Sequence, residues 1–239
     1  MTHTHERVES ILQPHAGMLE DSYEDVIKDA LGKGVEAEIA ALREPALRCC
    51  RCDLCAARTQ VVFGEGSSQA RLMIVGEAPG ADEDKSGHPF WGRAGQTFNS
   101  LLEKAGIARE DVWVTNTVKC RPTKGEARRL SNRPPLTPEI NACNIWRTGE
   151  LAILKPRIVC CLGAVSAKAI MGRAVKMTME RGQWFPFPGG VEGMEKSEVI
   201  VTYHPSYIMR QVGEAYDRIR AQSDADFATI ADKLNSFRG

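Results

Sequence analysis

The sequence lacks any long apolar segment. No run approaches the ~20 residues that a membrane-spanning helix requires, although hydrophobic residues make up 43% of the chain. The first ten residues, MTHTHERVES, also lack the basic stretch followed by an apolar stretch that marks a signal peptide. We therefore expect no membrane partner and a cytoplasmic location.

The chain also lacks an excess of either charge. Its 31 basic and 31 acidic side chains cancel, so the total charge indicates no partner. The distribution is uneven, because residues 1–44 hold ten acidic and four basic side chains, which leaves the rest of the chain net positive. Residues 119–133 alone carry six basic side chains and one acidic one. Such a segment is typical of a solvated loop or of a contact with phosphate groups.

Strands and helices are predicted to alternate along the chain, whose 239 residues suffice for one domain with an appendage. Strands are expected at 71–75, 112–115, 158–162 and 199–203, and helices at 94–105, 137–154, 163–171 and 217–237. This alternation predicts an α/β fold, a three-layer α/β/α sandwich with a mainly parallel central sheet. Helical spacing within 1–44 predicts an acidic N-terminal helical extension, followed by an α/β domain over 45–239.

Unusual residues follow several of the predicted strands. Gly76 to Gly80 follow the first strand, Asn116 the second, Gly163 the third, and His204 with Pro205 and Ser206 the last. Ligands of open parallel sheets bind beyond the carboxyl ends of the strands. These four segments are therefore expected to converge on one binding site.

Eight cysteines in a cytoplasmic chain favour metal ligands or buried thiols over disulfides. Cys52 and Cys55 form a C-x2-C pair, and Cys120 and Cys143 are the candidates for two further ligands. Cys49 also forms a C-x2-C pair with Cys52, so the spacing leaves the register open. It equally leaves open whether the site holds zinc or a [4Fe–4S] cluster. The remaining cysteines include Cys160 and Cys161, which lie in an apolar run and are expected in the core.

Five co-linear motifs resemble those of the family 4 uracil-DNA glycosylases, which are iron–sulfur enzymes that remove uracil from DNA. The motifs are CDLCAARTQVVFGEG (52–66), VGEAPG (75–80), HPFWGRAGQ (88–96), TNTVKCRP (115–122) and YHPSY (203–207). The resemblance covers about residues 49–210. It implies a monomeric, monofunctional hydrolase that flips uracil out of single- or double-stranded DNA, leaves an abasic site and carries a [4Fe–4S] cluster.

The resemblance also assigns a pocket for the flipped base. Phe90 matches the stacking aromatic, and Glu83 matches the residue that blocks the C5 methyl group of thymine. Asn116 offers both a donor and an acceptor, which can distinguish uracil from cytosine if hydrogen bonds fix the orientation of its amide. Three residues of the first motif complete the predicted substrate contacts: Gly76, Ala78 and Gly80.

The chemical roles are expected to fall on His204, Asn116 and Glu77. Cleavage of the glycosidic bond places negative charge on uracil O2, and His204 is the natural donor to that oxygen. The sequence does not show whether the imidazole is neutral or protonated. Glu77 is the nearest carboxylate for orienting the attacking water, since the position that bears an Asp in some related families is Ala78 here.

DNA phosphates are expected to contact the basic segment and the His-Pro-Ser turn. The predicted DNA-binding residues are Lys119, Arg121, Arg128, Arg129, Ser206 and Arg210. The stretch around 123–130 is longer than is typical of the family and contains no His, which argues against a covalent crosslink to DNA. Two alternatives remain open: a non-catalytic binder of uracil, abasic or single-stranded DNA, and a glycosylase for another deaminated base such as hypoxanthine.

Overall fold

A computed structural model of the chain describes residues 32–125 and 129–237. Its strands are β1 (Glu65–Gly66), β2 (Leu72–Gly76), β3 (Trp113–Asn116), β4 (Thr123–Lys124), β5 (Ser131–Asn132), β6 (Ile158–Leu162), β7 (Trp184–Pro186) and β8 (Glu198–Thr202). Its α-helices are α1 (Val35–Leu47), α2 (Ala81–Ser86), α3 (Arg93–Lys104), α4 (Thr137–Leu154), α5 (Ala164–Met171), α6 (Met177–Glu180), α7 (Pro205–Met209) and α8 (Glu214–Ser236).

The central sheet is mainly parallel, as predicted. Its strand order is β1-β3-β2-β6-β8-β7, in which the four inner strands run parallel and the two edge strands run antiparallel to their neighbours. The register places Ile74 of β2 opposite Val114 of β3 and Cys160 of β6. The inner strands agree with the predicted ones to within one residue at each end. The edge strands and the separate β4–β5 hairpin have only two or three residues each, too few to show a periodic pattern.

Helices cover both faces of the sheet and make the predicted three layers. Alternate residues of each strand point to opposite faces. Met73 and Val75 belong to one core cluster together with residues of α1, α4 and α5. Leu72 and Ile74 belong to a second cluster with residues of α3, α7 and α8. Cys160 and Cys161 are fully buried, one in each cluster, which confirms that they are core residues.

The described part of the N-terminal extension is helical, as its periodicity predicts. Helix α1 runs across the predicted boundary at residue 44 and packs on α4. Leu42 is 1% exposed, and a side chain on Gly149 would place Cβ 2.7 Å from a Leu42 methyl group, so glycine permits this close approach. The remainder of the predicted extension, residues 1–31, lies outside the described residues. Among the described helices, none is long and apolar enough to cross a membrane.

Candidate active site

A cavity of about 400 Å³ opens at the carboxyl edge of the parallel sheet. It is bordered by residues at or just after the ends of β2, β3 and β8, as expected, whereas the fourth expected segment, at Gly163 after β6, does not line it. The lining residues are Glu77, Ala78, Pro79, Gly80, Glu83, Phe90, Ala94, Asn116, Asn132, Arg133, Pro134, His204, Ser206 and Arg210. The structure therefore brings the predicted base-contacting and chemical residues to one place, with Gly76 directly beneath them.

Gly76 lets two of these side chains meet. It ends β2 opposite Asn116, the last residue of β3. A side chain at this position would place Cβ 2.3 Å from Asn116 Oδ1 and 2.6 Å from Phe90 Cζ. Because real Cβ contacts are longer, only glycine allows the amide and the aromatic ring to share the base of the cavity.

Phe90 forms a fixed aromatic surface beside the cavity. Its ring is buried, lies 5.0 Å from the Phe98 ring between centroids, and lies 5.9 Å from the His204 ring. Its backbone φ of +55° falls in the left-handed region, which is strained for a bulky residue. Gly95 permits this conformation, since a Cβ there would lie 1.7 Å from the Phe90 carbonyl oxygen.

The imidazole of His204 is neutral in this structure. It precedes α7, and its Nδ1 accepts the backbone N–H of Ser206 at 3.2 Å. A ring nitrogen that accepts a hydrogen bond carries no proton, so the proton of the imidazole is on Nε2. Burial lowers the pKa of His204 to about 4, and the nearby charge of Arg210 acts in the same direction. The choice that the sequence left open thus falls on the neutral ring.

Asn116 is positioned by packing and by its backbone. It is 2% exposed, and among the described residues no hydrogen bond holds its side-chain amide. The expectation that side-chain hydrogen bonds fix the amide is therefore not met. Its backbone carbonyl accepts a bond from Lys119 Nζ at 3.1 Å, and the next residue, Thr117, donates its backbone N–H to Gly76 O at 2.9 Å.

The carboxylate of Glu83 ties two loops together at the cavity wall. One oxygen accepts the N–H of Gly80 and the other accepts the N–H of Gly92, each at 3.0 Å. The residue is 9% exposed. Both oxygens are therefore fixed, and the side chain is a rigid part of the wall.

Among the described residues, Glu77 is, with Glu83, one of two carboxylate residues that line the cavity. It is half-buried, and burial raises its pKa above the usual value, while the positive charge of Arg210 partly opposes that change. Its carbonyl oxygen accepts the N–H of Val118 at 3.3 Å, so the loops after β2 and β3 are bonded to each other.

Of the six predicted DNA-binding residues, four are at least partly exposed, one is buried and one lies outside the described residues. Arg129 and Arg210 are exposed, Arg121 bonds Asn132 at 2.8 Å, and Ser206 accepts a bond from Arg210 at 3.2 Å. Lys119 does not fit the prediction, because it is 1% exposed and its ammonium is paired with Glu150 inside the protein. Arg128 lies outside the described residues.

The β4–β5 hairpin adds two cavity residues that the sequence did not single out as contacts. Thr123 pairs with Asn132 in the hairpin, which places Asn132 and Arg133 at the cavity. Arg133 is held by both oxygens of Glu139, at 2.8 and 2.5 Å. Their presence in the basic segment was the available signal, but only the pairing of the hairpin orients them.

Four thiols line a second, small cavity beneath the basic segment. They belong to Cys49, Cys52, Cys120 and Cys143. Cys55, which the sequence pattern had suggested as a ligand, does not line this cavity and instead shares a side-chain hydrogen bond with Cys50. The geometry therefore favours the Cys49–Cys52 register over the Cys52–Cys55 register.

Three of these sulfur atoms accept hydrogen bonds from the protein. Lys119 N–H donates to Cys143 Sγ at 3.2 Å, Trp146 Nε1 to Cys49 Sγ at 3.4 Å, and Arg58 to Cys120 Sγ at 3.3 Å. Such bonds stabilise thiolates around a metal centre. Burial raises the pKa of Cys143 to about 12, so a positive centre is needed to displace its proton at neutral pH.

The four thiols form a donor set that fits a metal centre held by cysteines, because they line one small cavity and three of them accept hydrogen bonds from the protein.

The fold and the cavity together define an α/β protein with a candidate binding cavity at the carboxyl ends of its parallel strands. The sequence model of the uracil DNA glycosylase superfamily matches residues 63–234, and the chain belongs to that superfamily.

Several relatives of this chain carry the name Type-4 uracil-DNA glycosylase. The chain is 39% identical to the one from Thermotoga maritima over 173 residues, which cover 72% of this chain and 83% of the relative. It is 39% identical to that of Pyrobaculum aerophilum over 73% of this chain and 86% of the relative. Identity to that of Archaeoglobus fulgidus is 33%, over 78% and 88% respectively. The resemblance to family 4 is confirmed.

Proposed function

We propose that this protein is a uracil-DNA glycosylase, a hydrolase that cleaves the N-glycosidic bond of deoxyuridine in DNA and leaves an abasic site. The observation that carries the proposal is the convergence of Phe90, Asn116 and His204 on one cavity at the carboxyl edge of the sheet. Membership in the superfamily and the names of the relatives support the same activity.

The cavity would hold a uracil base that has rotated out of the DNA stack. Phe90 offers the flat apolar surface on which the base stacks. The Asn116 amide would donate to uracil O4 and accept from N3–H, a pattern that cytosine reverses. Glu83, fixed by Gly80 and Gly92, would occupy the space that the C5 methyl group of thymine requires.

His204 would stabilise the departing uracil anion. As the bond to the sugar breaks, electrons move onto the base, and negative charge develops at O2. The Nε2–H of the neutral ring would donate to that oxygen, while the Ser206 N–H keeps Nδ1 as an acceptor. A donor whose orientation is set before the reaction stabilises the transition state without further reorganisation.

Glu77 would orient the water that attacks the sugar. Its raised pKa reflects burial, and Arg210 helps to keep it ionised. The developing positive charge on the sugar also favours a nearby carboxylate. We expect its removal to slow the reaction less than removal of His204, since departure of the base precedes most of the bonding to water.

Phosphates of the DNA backbone would contact the exposed cations around the cavity. Arg129 is exposed and Arg121 half-exposed in the hairpin segment, and Arg210 with Ser206 lines the cavity. These contacts position the strand and carry no sequence information. Lys119 is left out of this set because it is buried.

Cys49, Cys52, Cys120 and Cys143 would hold a [4Fe–4S] cluster. When bound, the cluster would crosslink the loop after α1 to the segments that border the hairpin, without any electron transfer in the reaction. The Arg58, Trp146 and Lys119 donors would stabilise its thiolates.

The activity is tested with single- and double-stranded DNA that contains one uracil. After incubation, alkali cleaves any abasic site, and we expect a shortened strand and several turnovers per protein molecule. Asn116→Asp and His204→Ala should each lose most of the activity, by roughly 10²–10³-fold for the His204 donor. Intact DNA at stoichiometric protein would reject the proposal, and tight binding without turnover would indicate a binding module instead.

A further inference from the structure

Lys119 and Glu150 form an ion pair in the interior that none of the roles above explains. Lys119 Nζ lies 2.6 Å from Glu150 Oε2, and the two side chains are 1% and 0% exposed. Removing two charges from water is costly, and apolar residues of similar size often stabilise a core at least as well. Stability alone is thus a weak reason for such a pair.

The hydrogen bonds of the pair converge on the strand that carries Asn116. Lys119 Nζ donates to Asn116 O at 3.1 Å and to Thr115 Oγ1. Thr115 Oγ1 in turn lies 3.0 Å from both oxygens of Glu150, and Glu150 Oε1 also accepts Gly64 N–H at 3.1 Å. The ammonium has three donors and meets three acceptors, so the network is complete.

The backbone of Lys119 faces the cysteine site. Its N–H donates to Cys143 Sγ at 3.2 Å, and the next residue along the chain is Cys120. One residue therefore contacts the thiol cavity through its backbone and the end of β3 through its side chain.

We propose that the Lys119–Glu150 pair is a positioning unit that holds Asn116 in place for uracil and connects the end of β3 to the cysteine site. The proposal rests on the function inferred above. Within the described residues no hydrogen bond holds the side-chain amide of Asn116, so the direction of the amide depends on the Asn116 backbone and on packing. The ammonium bond to the Asn116 carbonyl fixes that backbone, and a small rotation there would misalign the amide with uracil.

The test replaces the pair by apolar residues, in the double variant Lys119→Met/Glu150→Met. Because no lone charge is left in the core, this variant should fold, with a melting temperature lowered only by the loss of the Gly64 N–H and Thr115 hydroxyl bonds to Glu150. The backbone N–H bond to Cys143 remains, so the visible thiolate-to-iron absorption should also be retained. Free uracil, measured by equilibrium dialysis, should bind roughly tenfold more weakly, and the preference for uracil over cytosine in DNA should fall.

A double-mutant cycle with Asn116→Ala shows whether the pair affects uracil binding by positioning Asn116 or by a general loss of order in the cavity. If the pair acts through Asn116, replacing it in the Asn116→Ala background should weaken uracil binding no further. Additive losses would overturn the proposal, as would unchanged uracil affinity in the stable apolar variant. Lys104→Met, which breaks the exposed ion pair with Asp224, is the control and should leave uracil binding unchanged.

The proposed function is judged separately, by release of uracil from DNA by the wild-type protein. If the wild-type protein binds free uracil but releases none from DNA, the glycosylase proposal is rejected. The double-mutant cycle on uracil binding can still be interpreted in that case. Absence of any binding of free uracil to the wild type would overturn the positioning proposal, while the glycosylase activity would still be judged by release of uracil from DNA.

Discussion

At the scale of single residues, the geometry of His204 sets how the reaction should depend on pH. The ring is neutral because Nδ1 accepts the Ser206 N–H, and burial keeps its pKa near 4. In the unfolded chain the same side chain titrates at about 6.5. As the pH falls below about 6.5, the unfolded chain therefore takes up a proton on this side chain before the folded protein does. The free energy of unfolding falls accordingly until the pH reaches about 4.

Single-turnover rates should show no loss from His204 between pH 7 and 5, because the ring stays neutral throughout. Below about pH 4 protonation would break the bond from Ser206, and the rate should fall. Because the pKa of Glu77 is raised, ionisation of Glu77 can add a second step to the pH profile, at a pH above the usual pKa of a glutamate. The profile is therefore measured in parallel for Glu77→Gln. A limb near pH 6.5 that persists in Glu77→Gln would contradict the neutral-ring assignment.

Glu83 should determine whether thymine is excluded. We expect Glu83→Ala to release thymine from DNA at a measurable rate, since the space beside C5 is then free. A looser fit rejects one methyl group by only roughly 10–200-fold, which bounds the remaining preference for uracil. Lys85→Ala, an exposed change on the same helix, is the control. Complete exclusion of thymine by a folded, uracil-active Glu83→Ala variant would show that another residue rejects it.

At the scale of elements, the β4–β5 hairpin makes one side of the cavity. It pairs Thr123 with Asn132 and Lys124 with Ser131, and its base places Asn132 and Arg133 at the cavity. The hairpin joins the cavity to a cationic surface, because Arg121 bonds Asn132 while Arg129 is exposed.

The two hairpin-segment cations should contribute DNA affinity without contributing chemistry. Arg121→Ala/Arg129→Ala should weaken DNA binding and reduce the slope of log K against log salt by roughly 0.7–0.9 for each phosphate that the variant no longer binds. The single-turnover rate at saturating protein should change little. Arg43→Ala/Arg71→Ala, which also removes two exposed positive charges but none at the cavity, serves as the charge-matched control. An unchanged salt slope in the double variant would place the DNA elsewhere.

At the scale of the whole molecule, the cysteine site joins segments that are far apart in sequence. Cys49 and Cys52 follow α1, Cys120 precedes the hairpin, and Cys143 lies within α4. Helix α1 also packs on α4, so two of these three parts share a core contact, and all three meet at the four thiols. Loss of the site should therefore affect global stability as well as the cavity.

Cys49 and Cys55 offer a matched pair of variants that distinguishes the two registers. We expect Cys49→Ala to lose most of the visible absorption of the purified protein and to lower its melting temperature, because a ligand is removed. Cys55→Ala should retain both, since that thiol lies outside the cavity. The reverse result would restore the Cys52–Cys55 register. A colourless wild-type protein that contains zinc would show that the site holds zinc instead of an iron–sulfur cluster.

Local sequence pattern was sufficient to predict the inner strands, the main helices and the meeting of the segments after β2, β3 and β8, whereas the roles of Phe90 and Glu83 came from the resemblance to family 4. Buried strands such as Ile158–Leu162 are continuous apolar runs, and glycine-containing turns follow several of them, so neighbouring residues carry the signal. The order of the inner strands is consistent with that alternation, but the two-residue edge strand β1 leaves no pattern to detect.

Contacts between distant segments determined which of the predicted side chains are buried, which cysteines share a cavity and which protonation state His204 has. Lys119 belongs to a basic segment by sequence, yet Glu150 on a distant helix provides the partner that buries it. The choice between Cys49 and Cys55 depends on how their loop packs against Cys120 and Cys143, since both registers have identical spacing. The protonation of His204 likewise depends on burial and on one backbone bond. Burial and charge pairing arise when the chain folds back on itself, and a pattern of neighbouring residues does not contain them.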